Sequence, residues 1–217
     1  DQIMNNGKIL LCNVSKGKIG EDNSEVFGVV IMAKIQLAAL KRARMAMKDR
    51  RDFYLYVDEF QNFATPAFAQ ILSEARKYKL GAILAHQTTS QIEDKSLINI
   101  TLANTGTVIC FRTANPEDEK LILPQFQPYV EKGEIASLQS FRFYMRLGAL
   151  NPEEPFSGTT TLTTIGENSE RVNEVIASSR EQYSIKYVEK KQEQYRGSYV
   201  PKKKVSKLSK NSSYILP

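Results

Sequence analysis

Asp58 and Glu59 close the run Phe-Tyr-Leu-Tyr-Val-Asp-Glu at positions 53 to 59. Five apolar or aromatic residues predict a buried strand, so both carboxylates stand at its C-terminal end. That is the edge where open α/β sheets take their ligands. An Asp there suits Mg²⁺ on a nucleotide, usually through water, because this ion prefers one or two carboxylates plus phosphate oxygens. A Glu beside it points elsewhere and can polarise the water that attacks a γ-phosphate. A strand ending in two acids is also a common solvated turn, and the pair alone does not choose between these readings.

A second strand end adds to the first. Gly81-Ala82-Ile83-Leu84-Ala85-His86-Gln87 is a short apolar run that closes on polar side chains, and Gln87 lies 28 residues after Glu59. Between the runs, Thr65-Pro66 predicts an N-cap with proline in the first helical turn. Phe68, Ile71, Leu72, Ala75 and Tyr78 then recur at helical spacing. A strand–helix–strand unit predicts parallel strands and a right-handed crossover. Asp58, Glu59 and Gln87 are therefore expected at one edge, the Walker B arrangement with a γ-phosphate-sensing amide beside it.

The phosphate cradle is missing. No Gly-x-x-x-x-Gly-Lys-Ser/Thr occurs, and Ser15-Lys16-Gly17-Lys18-Ile19-Gly20 has neither the spacing nor the hydroxyl after the lysine. The sequence opens at Asp1 and enters at once the strand-like run Lys8 to Val14. The expectation is a C-terminal part of a longer ATPase whose phosphate loop lies upstream, inactive toward ATP on its own.

At 217 residues the chain can hold one domain with a real core and an appendage. Its best apolar stretch, Phe27 to Leu40, is interrupted by Lys34 and Gln36 and falls far short of a membrane span. No signal peptide is visible. Cys12 and Cys110 sit in apolar strand-like runs and are expected as buried reduced thiols. The single His86 has no companions at metal-ligand spacing. The net charge of +6 is concentrated at the C-terminus, where residues 186–217 hold nine Lys or Arg against two Glu. The other 185 residues carry 21 basic and 22 acidic groups.

Along the chain, residues 24–48 predict a long helix. Lys41, Arg42, Arg44, Lys48, Arg50 and Arg51 cluster at its end, where cations suit the macrodipole. A DNA-facing role for this cluster is the competing explanation. Residues 90–103 are expected helical, and Thr107 to Phe111 is a further strand ending at Arg112. Asn115-Pro116-Glu117-Asp118 is an N-cap, first-turn proline and early acids. Phe141 to Leu147 alternates as a strand near the sheet edge, and Phe156 to Leu162 is extended. The expected division is a core over 1–165, an amphipathic helix over 166–195 and a disordered basic tail over 196–217. That tail fits nucleic acid, anionic lipid or a partner by charge, and equally a solubilising role.

With these residues in place, the chain resembles the C-terminal half of motor ATPases of the HerA/FtsK superfamily, above all the TraG/TraD-like coupling proteins of type IV secretion and conjugation. The strings "GKILLCNVSKGKIGEDNSEVFG", "YLYVDEFQNFATPAFAQILSEARKYKLGAILAHQ" and "NTGTVICFR" carry the resemblance over about residues 1 to 160. It implies the C-terminal part of a RecA-like α/β P-loop NTPase core with a mainly parallel sheet, in a homo-hexameric ring that hydrolyses ATP with Mg²⁺ and moves DNA. It implies also a P-loop-bearing N-terminal half or subunit, and secretion-system or relaxase partners. The expected location is the cytoplasmic face of the cell membrane, held by an N-terminal anchor. By the same resemblance Asp58 serves Mg²⁺, Glu59 orients the lytic water and Gln87 is the sensor. Arg76 matches an arginine projected into a neighbouring subunit's ATP; its alternative is an ordinary surface arginine, and Arg112 is its rival. A HerA-type DNA-repair translocase and a non-catalytic nucleic-acid or partner-binding module are the competing functions.

Overall fold

The computed structural model describes residues 1–185 apart from 64, 90, 91, 93 and 149–153. The basic tail and residues 186–195 of the expected final helix lie outside the described residues. The chain divides into two compact units, residues 1–162 and 163–217.

The first unit opens with two short helices, α1 (Gln2–Asn5) and α2 (Lys16–Ile19), and then the long α3 (Glu21–Lys41). Strand β1 (Phe53–Val57), helix α4 (Pro66–Glu74) and strand β2 (Leu80–Leu84) form the expected strand–helix–strand unit. β1 and β2 pair in parallel, with Phe53 opposite Leu80 and Val57 opposite Leu84. The cap reading holds: Thr65 Oγ1 accepts from the Phe68 amide at 3.2 Å, with Pro66 at the first helical position. Helix α5 (Lys95–Asn104) leads to β3 (Thr107–Phe111), then to α6 (Pro116–Ile122), capped by Asn115 as expected, and to α7 (Glu134–Ser137). Strands β4 (Arg142–Leu147) and β5 (Phe156–Thr159) complete the unit.

The expectation of a mainly parallel sheet is corrected. Among the described residues β1–β2 is one small parallel sheet, and β3–β4–β5 is a separate sheet with both pairings antiparallel. β4 follows β3 through α6 and α7 and returns antiparallel on β3, so it is the central strand of its sheet and not an edge. Among the described residues the outer strands β1, β2, β3 and β5 each keep one unpaired edge. The main core packs α3, α4 and α5 on one face of β1–β2 through Leu55, Val57, Phe68, Ile71 and Leu97. A second cluster, centred on Phe126 and Ile135, lies under β3 and β4. Gly28 allows α3 its close approach, because a Cβ there would stand 2.1 Å from Phe63 Cε1.

Two further expectations change. Residues 8–14 form no strand: Ile9 and Leu11 are 87% and 79% exposed, and the segment walls an open groove of about 1230 Å³ against α3 and β1. With no layer covering it, the run's apolar side chains have nothing to pack against, and its backbone is tied only near its ends, where the Lys8 amide donates to Ile3 O at 3.1 Å and Val14 O accepts from Ser24 Oγ at 2.5 Å. The long helix stops at Lys41 and tightens into a 3₁₀ turn, Arg42–Arg44, which carries Arg42 inward. Its guanidinium is fully buried and donates to the carbonyls of Met4 (2.8 Å), Arg51 (2.9 Å) and Tyr78 (2.8 Å) and to Asn5 Oδ1 (2.9 Å). This member of the basic cluster is therefore an internal brace, unavailable to solvent or DNA.

In the second unit, α8 (Ser169–Tyr183) starts at Asn168, whose Oδ1 accepts from the Arg171 amide at 2.8 Å. Its apolar Val172, Val175 and Ile176 are all exposed. No helix among the described residues is long and apolar enough to cross a membrane.

Candidate functional site: the carboxyl edge of the parallel strands

β1 delivers its carboxylates by alternation. Leu55 and Val57 point into the core while Tyr54 and Tyr56 face outward, and Asp58 continues the outward series as an exposed residue. The chain must then turn so that Phe60 reaches the core, where it is 2% exposed and stands near Phe68 and His86. Glu59 absorbs that turn with φ of 49°, a left-handed conformation that costs a non-glycine residue about 1–2 kcal/mol. Its surroundings over-determine it. The Phe60 amide donates to Ala85 O at 3.0 Å, continuing the β1–β2 ladder, and Glu59 O accepts from the Asn62 amide at 3.0 Å. Glu59's own amide donates to Asp58 Oδ1 at 2.9 Å.

The Glu59 carboxylate accepts two side-chain amides. Gln87 Nε2 donates to Oε1 at 2.8 Å, and Gln61 Nε2 donates to Oε2. Gln87 lies three residues beyond β2, in a bend, and the parallel register brings it back across the strand ends to Glu59. Asp58, Glu59 and Gln87 thus share one edge. Gln61 was not read from the sequence; its place two residues after Glu59, in a 3₁₀ turn, was the available signal.

The two arginines part company. Arg112 is exposed just after β3 and lines, with His86, Gln87 and Asp118, a cavity of about 360 Å³ walled by the segment that follows β2 and by α5, β3 and α6. Arg76 is exposed in the 3₁₀ turn Ala75–Tyr78, before β2 begins. Lys79 O accepts from the amide of Phe53, the first residue of β1, so this turn lies at the amino edge of the strands. Five strand residues, about 3.3 Å each, separate it from the carboxylates.

Both cysteine expectations are revised. Cys12 is exposed and Cys110 is half-buried, at the 360 Å³ cavity. Burial pushes the Cys110 thiol up to about 11, with the Glu119 and Asp118 charges adding to the shift. Desolvation lowers the His86 imidazole, against the opposing pull of Asp118. Among the described residues no group of three His, Cys, Asp or Glu could hold a metal ion. Asp58 alone fits only an ion that brings most of its ligands from water and phosphate.

Residues 52–122 match the family described as the TraM recognition site of TraD and TraG. This segment contains β1 through α6 and hence every candidate residue named above, and the resemblance to TraG/TraD-like coupling proteins holds there. Among solved structures, the plasmid coupling protein TrwB with the non-hydrolysable GTP analogue GDPNP is 16% identical at a TM-score of 0.50, covering 64% of this chain and 39% of that one. That likeness shows a shared fold. Unbound TrwB is 17% identical with a TM-score of 0.49, over 61% of this chain and 37% of that one. The genome packaging NTPase of Sulfolobus turreted icosahedral virus 2 with AMPPCP is 19% identical with a TM-score of 0.45, over 61% and 62%. The chain therefore spans under two thirds of each of these proteins. No curated protein matches it.

Proposed function

We propose that this chain is the C-terminal part of an ATP-driven, DNA-translocating motor of the conjugative coupling type. The observation that carries the reading is the Gln87–Glu59 hydrogen bond of 2.8 Å, made at the carboxyl edge of a parallel strand pair by a Glu in a left-handed conformation. Strained backbone at a ligand-binding edge is a mark of functional sites. Asp58, exposed at the same edge, would hold Mg²⁺ through water. Bound there with the nucleotide, the ion would neutralise charge on the β- and γ-phosphate oxygens.

In this reading Glu59 accepts a proton from the attacking water, and its hydrogen bonds to Gln61 and Gln87 aim the carboxylate while it waits. Gln87 is the group whose contact changes when a γ-phosphate arrives. Arg112, which lines one cavity with Gln87, would face a nucleotide at this edge. Arg76 stands at the opposite edge and would serve a neighbouring copy's nucleotide, which calls for a ring such as a homo-hexamer. The phosphate loop is supplied by a preceding segment or subunit. A strand from that segment would pair on an edge left open among the described strands. Tyr54 and Tyr56, 62% and 74% exposed, leave one face of a parallel sheet bare, and such sheets are normally covered on both faces. DNA as cargo, relaxase or secretion-system partners and a place at the cytoplasmic face of the membrane complete the proposal.

The test is phosphate release by the natural full-length polypeptide with double-stranded DNA. Stimulated turnover that Glu59→Gln abolishes supports the motor; turnover indifferent to that change sinks it. The family match favours a second role for residues 52–122, recognition of a TraM-like accessory protein. Binding of such a partner that survives Glu59→Gln would assign both roles to one segment.

A further inference from the structure

We infer that Asp118 is a positioning residue for Gln87: from the first turn of α6 it clamps the two residues that follow Gln87 and so sets where its amide meets Glu59. The inference rests on the hydrolytic reading of Glu59 and Gln87 above.

Asp118 is only 7% exposed, and its carboxylate accepts three hydrogen bonds from one short stretch. Thr88 Oγ1 donates to Oδ2 at 2.8 Å, the Thr89 amide donates to Oδ1 at 3.0 Å, and Thr89 Oγ1 donates to Oδ1 as well. A buried carboxylate is costly unless its lone pairs are satisfied. Here the donors are hydroxyls and an amide, and the N-terminal turn of a capped helix adds favourable charge. Gln87 itself lies in neither helix nor strand, and the backbone before it is tied at Ala85, whose amide donates to Val57 O at 2.9 Å and whose carbonyl accepts from the Phe60 amide at 3.0 Å. The chain there is held on one side by Phe60 and His86 in edge contact at 5.5 Å, and on the other by Asp118. Gln87 sits between, and its Nε2 reaches Glu59.

The neighbouring Glu119, also 7% exposed, accepts from the Gly133 amide at 2.7 Å. The first turn of α6 therefore fastens two loops at once. Because α6 begins four residues after Arg112, the clamp ties Gln87 to the segment that carries Arg112. A shift of α6 would move the amide against the Glu59 carboxylate, and a displacement near 1 Å at such a contact costs about 10²-fold in rate.

A kinetic cycle in the full-length protein tests this, with Asp118→Ala, Gln87→Ala and the double variant. The expected result is a kcat lowered about 10- to 100-fold by Asp118→Ala, with binding of a non-hydrolysable ATP analogue unchanged, and no further loss when Gln87 is already Ala. Asp118→Asn keeps an acceptor for the Thr89 amide and should recover most of the rate. In the nucleotide-free protein, Asp118→Ala should speed amide exchange at Thr88 and Thr89, and Asp118→Asn should largely restore protection. If Asp118→Ala does not fold, Thr88→Val and Thr89→Val remove the donors from the other side and should reproduce its effect. Losses that multiply in the double variant overturn the inference, as does a kcat untouched by Asp118→Ala while local exchange rises. Wild-type turnover in both Gln87→Ala and Glu59→Gln would instead sink the hydrolytic reading itself.

Discussion

The two ends of the β1–β2 pair are both built from charged residues, and they use charge in opposite ways. At the amino end Arg42 is sealed from water and its donors are spent on carbonyls from three stretches of chain. Arg50 joins it there, donating to Met45 O and Lys77 O and lying 5.9 Å from the Tyr78 ring centroid. At the carboxyl end Asp58 is exposed and Glu59 is tethered only by amides that a substrate could replace. A cation enclosed by neutral acceptors fixes architecture, because removing it orphans the carbonyls. A carboxylate held at the surface by neutral donors keeps its charge available for chemistry.

Glu59→Gln breaks the carboxyl end. It should lower turnover of the full-length protein by about 10²- to 10⁴-fold, the span of general-base catalysis. The urea unfolding midpoint should hardly move, and a large loss of stability would contradict the contrast. Arg42→Ala breaks the amino end and should destabilise the chain by about 3 kcal/mol or more, since several buried carbonyls lose a charged donor. Equilibrium unfolding measures this, and Arg42→Lys should recover only part, because an ammonium cannot span the same acceptors.

Thr65→Ala sharpens the comparison with a smaller effect. It removes the α4 cap beside the carboxyl edge and should cost about 1 kcal/mol in unfolding without altering kcat. The least effect concerns the thiols. Iodoacetamide at pH 8 should label exposed Cys12 before Cys110. Because the Cys110 thiol is pushed up to about 11, its labelling rate should still climb about tenfold per pH unit between 8 and 9.5. A plateau near pH 9 would show an ordinary thiol.

Local signals carried the sequence reading furthest. The apolar runs of β1 and β2, the Thr65-Pro66 and Asn115-Pro116 caps and the helical spacing from Phe68 all act within a few residues and reappear in the structure, although the α-helix stops at Glu74 and Ala75–Tyr78 tightens into a 3₁₀ turn. The meeting of Glu59 with Gln87 followed from one topological rule applied to those elements. What escaped was set by distant partners. Arg42 looked like its neighbours Lys41 and Arg44, and most of the acceptors that distinguish it lie 36 to 38 residues away. Asp118 read as a first-turn acid, although its donors lie 29 and 30 residues back. The run 8–14 has a strand's composition, but composition does not supply a neighbour to pair with.

The unpaired edges of β2 and β3, with the bare Tyr54 and Tyr56 between sheet and solvent, bear on how the chain behaves in a test tube. Open strand edges and uncovered aromatic faces are templates for self-association. Expressed by itself, the chain should cloud on concentration, and a co-expressed segment that closes those edges should keep it clear. Turbidity thus becomes a selection: a library of candidate partner segments could be ranked by solubility alone, with no nucleotide, DNA or activity assay.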